Sequence, residues 1–240
     1  MKPNHLKDLK DILETSPNPA LQNVNILFNF LLEQGYFTMV DEPCDGKVTI
    51  KIPNDEIRSE FREEFMMFQV ASYNLNLELC KDCAKIFDKI SASDKENRET
   101  LKEICNLLNI IIKPIEFKVK NEATLHHIIF TIIFLSLKFD CFSEIRAAIK
   151  NRKILDLLMI KDNIGIIIEL KFKTDAEEGL EQIKRNRYFD AFRSDKYNPE
   201  NKKIDYFLLI GLSMSEEQEI TLSVLLNNLD LENKEFFTCN

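Results

Sequence analysis

Tryptophan is absent, and glycine (5) and proline (7) are scarce in a chain of 240 residues. An all-β sandwich or barrel needs a steady supply of turn residues, so a helix-rich chain with a few strands is expected instead. No apolar run approaches the roughly 20 residues that span a bilayer, and Leu107–Ile112 is broken by Asn109. The stretch Met1-Lys2-Pro3-Asn4-His5-Leu6-Lys7-Asp8 has no apolar segment, which predicts no secretory signal. The expectation is an intracellular, cytoplasmic protein with no membrane contact and six reduced cysteines. No Gly-x-x-x-x-Gly-Lys-Ser/Thr loop occurs, so nucleotide-driven action is not expected. An excess of basic residues is missing too. The net charge of −8 argues against a general nucleic-acid coat protein, but leaves room for a local basic patch.

What is present is a packable composition, 45% hydrophobic and 30% charged. Residues 1–117 hold 14 basic and 20 acidic side chains, residues 118–240 hold 18 and 20. The element pattern changes in the same place, near Lys113-Pro114, where proline cannot continue a helix. This predicts two domains, 1–117 and 118–240. The first reads as a helical region with one β-hairpin. Helices are expected over 4–14 and 20–33, Gly35 stopping the second. Strands over 36–40 and 47–52 follow, joined by Asp45-Gly46. Asn54 or Asp55 can cap a helix over 56–71, and further helices are expected near 75–91 and 95–112. Helix, hairpin, helix is compatible with a winged-helix-like unit, but Glu56, Glu60, Glu63 and Glu64 would repel DNA. The stretch 54–112 is also a candidate protein-partner surface.

The second half reads α-β-β-β-α-β: a helix over 121–138, strands over 140–147, 153–160 and 164–172, a helix over 174–193 and a strand over 204–211. Thr174 and Glu177 have capping-box spacing. The apolar segment 218–227 fits neither type cleanly. Three strands, a crossover helix and a strand predict an α/β (α+β) domain with a mixed central sheet flanked by helices.

Chemistry concentrates in two neighbouring strands. Asp156 stands in Ile154-Leu155-Asp156-Leu157-Leu158-Met159-Ile160, and Glu169 and Lys171 in Ile166-Ile167-Ile168-Glu169-Leu170-Lys171-Phe172-Lys173. Continuous apolar runs mark strands buried on both faces, where an isolated charge is costly. Residues i and i+2 share a face, so Glu169 and Lys171 point together. A hairpin through Asp162-Asn163-Ile164-Gly165 brings Asp156 towards Glu169. Two readings fit this trio. It is a pocket whose carboxylates ligate Mg²⁺ while the amine acts on water or phosphate, or it is an ion pair that satisfies itself.

Asp156, twelve intervening residues and Glu169-Leu170-Lys171 resemble the bipartite signature of the PD-(D/E)XK nuclease superfamily. Asn121-Glu122-Ala123-Thr124-Leu125-His126, Ser143-Glu144-Ile145-Arg146, Asp156-Leu157-Leu158, Ile168-Glu169-Leu170-Lys171 and Leu180-Glu181-Gln182-Ile183 through Tyr188 look like the nuclease half of the AAA-ATPase-like/PD-(D/E)XK family. Leu31 to Thr38 and Ile52 to Arg58 look like the segment that precedes that half. The resemblance covers roughly residues 24–226 and lacks the ATPase domain. Arg152-Lys153-Ile154-Leu155 stands where the family has Gly-Arg before the first Asp. The resemblance implies a restriction-endonuclease-like fold and a Mg²⁺- (or Mn²⁺-) dependent nuclease acting on DNA. Asp156 and Glu169 would ligate the metal, with the Leu170 carbonyl and Glu144 as further ligands and Glu122 as an accessory acid. Lys171 would be catalytic, and Gln182 would line the pocket. A homodimer is a further implication. Arg146, Arg152, Lys184 and Arg187, with Lys150, Lys153 and Arg193, are the candidate phosphate contacts. The alternative is a nuclease fold without activity that serves as an interaction or regulatory module.

Two other motifs compete for attention. Cys80-x-x-Cys83 lacks the two further ligands a zinc site needs and reads as buried helix cysteine. Of His126 and His127, at the start of a helix, at most one can face the core.

Overall fold

The computed structural model describes residues 31–32, 35–39, 50–115, 119–136, 138–146, 154–193, 197–198, 202–227 and 235–239. The expected helix over 4–14, all of the helix over 20–33 except residues 31–32, and the Asp45-Gly46 turn lie outside these residues. The chain divides into two compact units, residues 1–64 and 65–240.

In the first unit Leu31 and Leu32 are helical, and Gly35 has φ +81°. The N–H of Gly35 bonds the Leu32 carbonyl (3.1 Å) and that of Tyr36 the Leu31 carbonyl (2.8 Å), the Schellman pattern that needs a left-handed residue here. Strand β1 (Thr38–Met39) pairs antiparallel with β2 (Ile50–Lys51). Helix α1 (Asp55–Ser72) then begins, its Asn54 cap accepting from the N–H of Ile57 at 2.9 Å.

The second unit holds α2 (Leu77–Phe87), α3 (Asp94–Ile112) and α4 (Glu122–Phe134). Then come β3 (Asp140–Arg146), β4 (Ile154–Lys161), β5 (Ile164–Phe172), α5 (Ala176–Asn186) and a 3-10 helix (Tyr188–Arg193). Strands β6 (Tyr206–Met214), β7 (Ile220–Asn227) and β8 (Glu235–Cys239) follow. One six-stranded sheet runs β3-β4-β5-β6-β7-β8. Only β5 and β6 are parallel, joined by the α5 crossover; the other pairs are antiparallel. The structure is thus a mixed sheet flanked by helices, preceded by a helical region.

Strand alternation builds two cores. Leu157, Met159, Ile166, Ile168, Leu208 and Ile210 pack with α2, α3 and α4 through residues such as Phe87, Leu108 and Ile128. Leu158, Ile160, Ile167 and Leu209 pack on the other face with Leu180, Ile183 and Tyr188. The apolar stripes of α2 and α3 therefore cover the same sheet as α4. The division between the two compact units falls at 64/65.

Several local expectations are corrected. The turn between β4 and β5 is only Asp162-Asn163, because Lys161 already pairs with Ile164. Thr174 and Glu177 form no capping box. The N-cap is Asp175, and the carbonyl of Thr174 accepts from Ser213 Oγ. The helix expected over 174–193 ends at Asn186, where Arg187 turns left-handed (φ 53°) and the 3-10 helix takes over. Residues 220–227 of the segment 218–227 are strand β7, and β8 was not foreseen. Among the described residues no helix is long and apolar enough to cross a membrane.

Candidate active site

β5 is buried from Ile164 to Lys171, including Glu169 (2% exposed) and Lys171 (8%). Both side chains lie on the α5 face. Lys171 Nζ donates to Glu169 Oε1 (3.4 Å) and to the Leu170 carbonyl (2.9 Å). Helix α5 reaches this face because two glycines let backbone meet backbone. A Cβ on Gly179 would lie 3.0 Å from the Glu169 carbonyl, and one on Gly211 would drive into the Ala176 carbonyl oxygen. One turn after Gly179, Gln182 Nε2 donates to Glu169 Oε1 and, at 3.4 Å, to the Tyr188 hydroxyl. Tyr188 donates in turn to the Ile154 carbonyl at 2.9 Å, tying the end of α5 to the start of β4.

Asp156 stands where the ladders fail. The β3–β4 pairing passes from Ser143↔Leu157 to Ile145↔Leu155, skipping Glu144 and Asp156, and Glu144 has φ +50°. The β4–β5 pairing ends at Leu157↔Ile168. Beyond that end the Asp156 side chain replaces a backbone partner: its Oδ2 accepts from the N–H of Leu170 at 2.7 Å. The Asp156 carbonyl faces His126 Nε2 at 3.3 Å, and Ser143 Oγ lies 3.1 Å from the same nitrogen. In the sequence His126 stands in a histidine pair and, with Ser143, within the segments that carry the family resemblance; neither is singled out there for a role at Asp156, and nothing in their spacing connects them to it. His127 is exposed, with Nδ1 3.3 Å from the Tyr73 hydroxyl.

The electrostatics follow from burial. Desolvation, then the nearby Asp156 charge, push Glu169 up to about 8 against the opposing effect of Lys171. Asp156 is also raised, chiefly by desolvation and further by Glu122, while the Leu170 N–H, His126 and Lys171 oppose the shift. Burial raises the Tyr188 phenol. Among the described residues, buried Glu169 Oε2 has no hydrogen-bond partner.

The expected residues land unevenly. Asp156, Glu169, Leu170, Lys171 and Gln182 come together. Glu122 is exposed in the first turn of α4, near enough to act on Asp156. Glu144 is exposed, and among the described residues no three His, Cys, Asp or Glu side chains gather closely enough to hold a metal ion. Glu144 therefore does not complete a three-acid set: its left-handed backbone takes it out of the strand ladder. Lys184 pairs with Glu181 (2.6 Å), and Arg187 with Asp190 (3.3 Å) while lying over the Phe189 ring. Arg152 and the Arg146 side chain fall outside what the structure describes. Cys80 and Cys83 are wholly buried, and burial pushes the Cys80 thiol up to about 12, the behaviour of core cysteines. A cavity of about 400 Å³ opens beyond the carboxyl ends of β5 and β6, lined by Lys173, Asp175, Ser213 and Glu216 and not by Asp156 or Glu169.

The donor set suits a divalent ion. Two carboxylates and a carbonyl oxygen are hard ligands, and Mg²⁺ needs few protein ligands because it keeps several waters. Glu169 Oε2, with no hydrogen-bond partner among the described residues, fits a buried carboxyl that keeps a proton until a divalent ion displaces it. Lys171 already bonds Glu169 Oε1 and the Leu170 carbonyl, so an incoming ion competes with its ammonium. Compared with known proteins, the chain matches no protein-family model, no curated protein and no solved structure.

Proposed function

We propose that the chain is a divalent-metal-dependent nuclease that hydrolyses phosphodiester bonds, with DNA as the substrate and Mg²⁺ or Mn²⁺ as the cofactor. The observation that carries this reading is the trio itself: half-buried Asp156 against the Leu170 N–H, buried Glu169 with an oxygen that has no partner among the described residues, and buried Lys171 bonded to Glu169 and to the Leu170 carbonyl. Asp156, Glu169 and the Leu170 carbonyl would hold the ion, which supplies a Lewis acid that acidifies water and offsets phosphate charge. The chain's own residues do the rest. Asp156 is oriented by the Leu170 N–H. Gln182, donating to Glu169 and Tyr188, fixes the rotamer of the Glu169 carboxylate. Lys171, freed from Glu169 and Leu170, offers its ammonium to a phosphoryl oxygen or orients the attacking water. Water adds to phosphorus and releases one proton to solvent, the P–O ester bond breaks, and the leaving oxygen takes a proton from solvent, so that one water is consumed. Lys184, Arg187 and Arg193 supply basic side chains on the same helical segment for the nucleic-acid backbone. Pairing of two copies to cut both strands belongs to the same proposal.

A second reading has its own support. Lys171 is held by two buried acceptors, as a spent site turned structural would hold it. Met67 and Phe68 on α1 and Ile110 on α3 are large apolar side chains more than half exposed, which fits a protein partner on residues 54–112. Incubating purified protein with plasmid and oligonucleotides in Mg²⁺, Mn²⁺ or EDTA separates the two. Metal-dependent cleavage supports the nuclease; no cleavage with any metal supports the interaction module.

A further inference from the structure

The break in β4 has a buttress. Asp156 has left both ladders, yet its peptide carbonyl is covered by the ring of His126, 7% exposed and delivered by α4. A carbonyl only accepts, so the 3.3 Å contact requires the hydrogen on His126 Nε2, and the Ser143 hydroxyl at 3.1 Å shares the same N–H as an acceptor. The ring is held in place by stacking on Phe130, centroids 6.3 Å apart with planes 6° from parallel. One imidazole therefore bonds both strands at the point where their pairing skips a step.

We propose that His126 is a positioning residue for Asp156. By bonding the peptide carbonyl it holds β4 away from regular pairing. That leaves the Asp156 carboxylate, rather than a β4 backbone carbonyl, to take the Leu170 N–H, and so keeps it beside Glu169. A straight β4 would set Asp156 opposite Glu169 and bring the Leu155 carbonyl to the Leu170 N–H, displacing the carboxylate from it. The importance of this for catalysis rests on the nuclease reading; the hydrogen-bonding role does not. His126 here is neither ligand nor base.

The test uses the full-length protein. His126→Phe removes the N–H and keeps a ring to stack on Phe130, and His126→Gln returns an N–H donor. Amide hydrogen exchange followed by NMR reads the Leu170 N–H directly, and calorimetry with MgCl₂ reads the site. In His126→Phe the Leu170 amide should exchange about tenfold faster while Ile166, within the paired part of β5, keeps its protection. Mg²⁺ should bind at least about tenfold more weakly, the usual effect of losing a group that orients a ligand. His126→Gln should restore most of both. An unchanged Leu170 amide in a folded His126→Phe overturns the proposal. So does uniform acceleration along β5 that glutamine fails to reverse, or failure of both variants to fold, since each makes His126 a general core residue. If wild type binds no Mg²⁺ but the Leu170 amide responds as expected, the metal reading fails and the positioning role stands.

Discussion

β5 and β6 lie side by side, parallel and buried along almost their whole length, and they solve the same packing problem differently. At the positions where β5 carries Glu169 and Lys171, β6 carries Gly211 and Ser213. Gly211 gives up its side chain so that α5 can sit on the sheet, and Ser213 satisfies its hydroxyl on the Thr174 carbonyl. β6 leaves nothing charged in the interior. β5 buries a carboxylate and an ammonium and leaves one carboxylate oxygen without a partner. Apolar residues of similar size are often as stabilising as a buried ion pair, or more so. The fold could have used the β6 solution twice, so the charges on β5 are explained by chemistry better than by stability.

Making β5 more like β6 should have its largest effect on turnover. In Lys171→Met, cleavage of plasmid DNA is expected to fall by about 10²–10³. Mg²⁺ binding should persist, and tighten, because the ammonium no longer bonds Glu169 Oε1 and the Leu170 carbonyl. Wild type that cuts nothing, with a Lys171→Met variant that melts higher, would favour the interaction module. Disturbing β6 instead should strike stability. Gly211→Ala pushes a methyl into the Ala176 carbonyl and is expected to cost about 1–3 kcal/mol in urea unfolding. An unchanged midpoint would mean that α5 does not rest on Gly211.

A pH series sharpens the contrast further. Glu169 in the folded chain holds its proton up to about pH 8, above the unfolded value of about 4.3. The folded state thus binds this proton more tightly. Its stabilising contribution is complete below about pH 4.3, and is lost as pH rises through about 8. Melting temperatures of the metal-free protein should decline across that window, and Glu169→Gln should flatten the decline; equal slopes would remove Glu169 as the cause. The smallest effect is expected at Tyr188→Phe. It loses the bond to the Ile154 carbonyl and the acceptor for Asn186 and Gln182, a loss of about 1 kcal/mol in the same urea assay, and frees Gln182 to turn.

The parts of the fold legible in the sequence are those with one dominant signal. The run Ile166-Ile167-Ile168 marks a doubly covered strand, and the two-residue offset of Glu169 and Lys171 fixes their shared face. Asn54 at the start of α1 and Gly35 in its left-handed turn act through local chemistry and read directly. Arg187 was illegible for the opposite reason: a left-handed residue is usually signalled by Gly or Asn, and arginine gives no such cue. Thr174 has the spacing of a cap, but its carbonyl is claimed by Ser213 across the sheet, a tertiary bond no local pattern encodes. β7 does alternate over Ile220-Thr221-Leu222-Ser223-Val224, with the apolar members facing one core, but Leu225 and Leu226 are both buried, one on each face, and break the period at its end. At the site, the trio was readable because charges in apolar strands stand out. The break at Asp156 and its neighbours His126 and Ser143 were not, since a skipped ladder step comes from three strands and a helix meeting.

The most direct test of the claim that β5 keeps its charges for a divalent ion is calorimetric titration of MgCl₂ into wild type and Asp156→Ala. Asp156 bonds the Leu170 N–H and stands beside Glu169, but forms no part of the Lys171–Glu169 ion pair. The expected result is a single binding event in wild type that disappears in Asp156→Ala. Equal binding by the two proteins, or none by wild type, would contradict it.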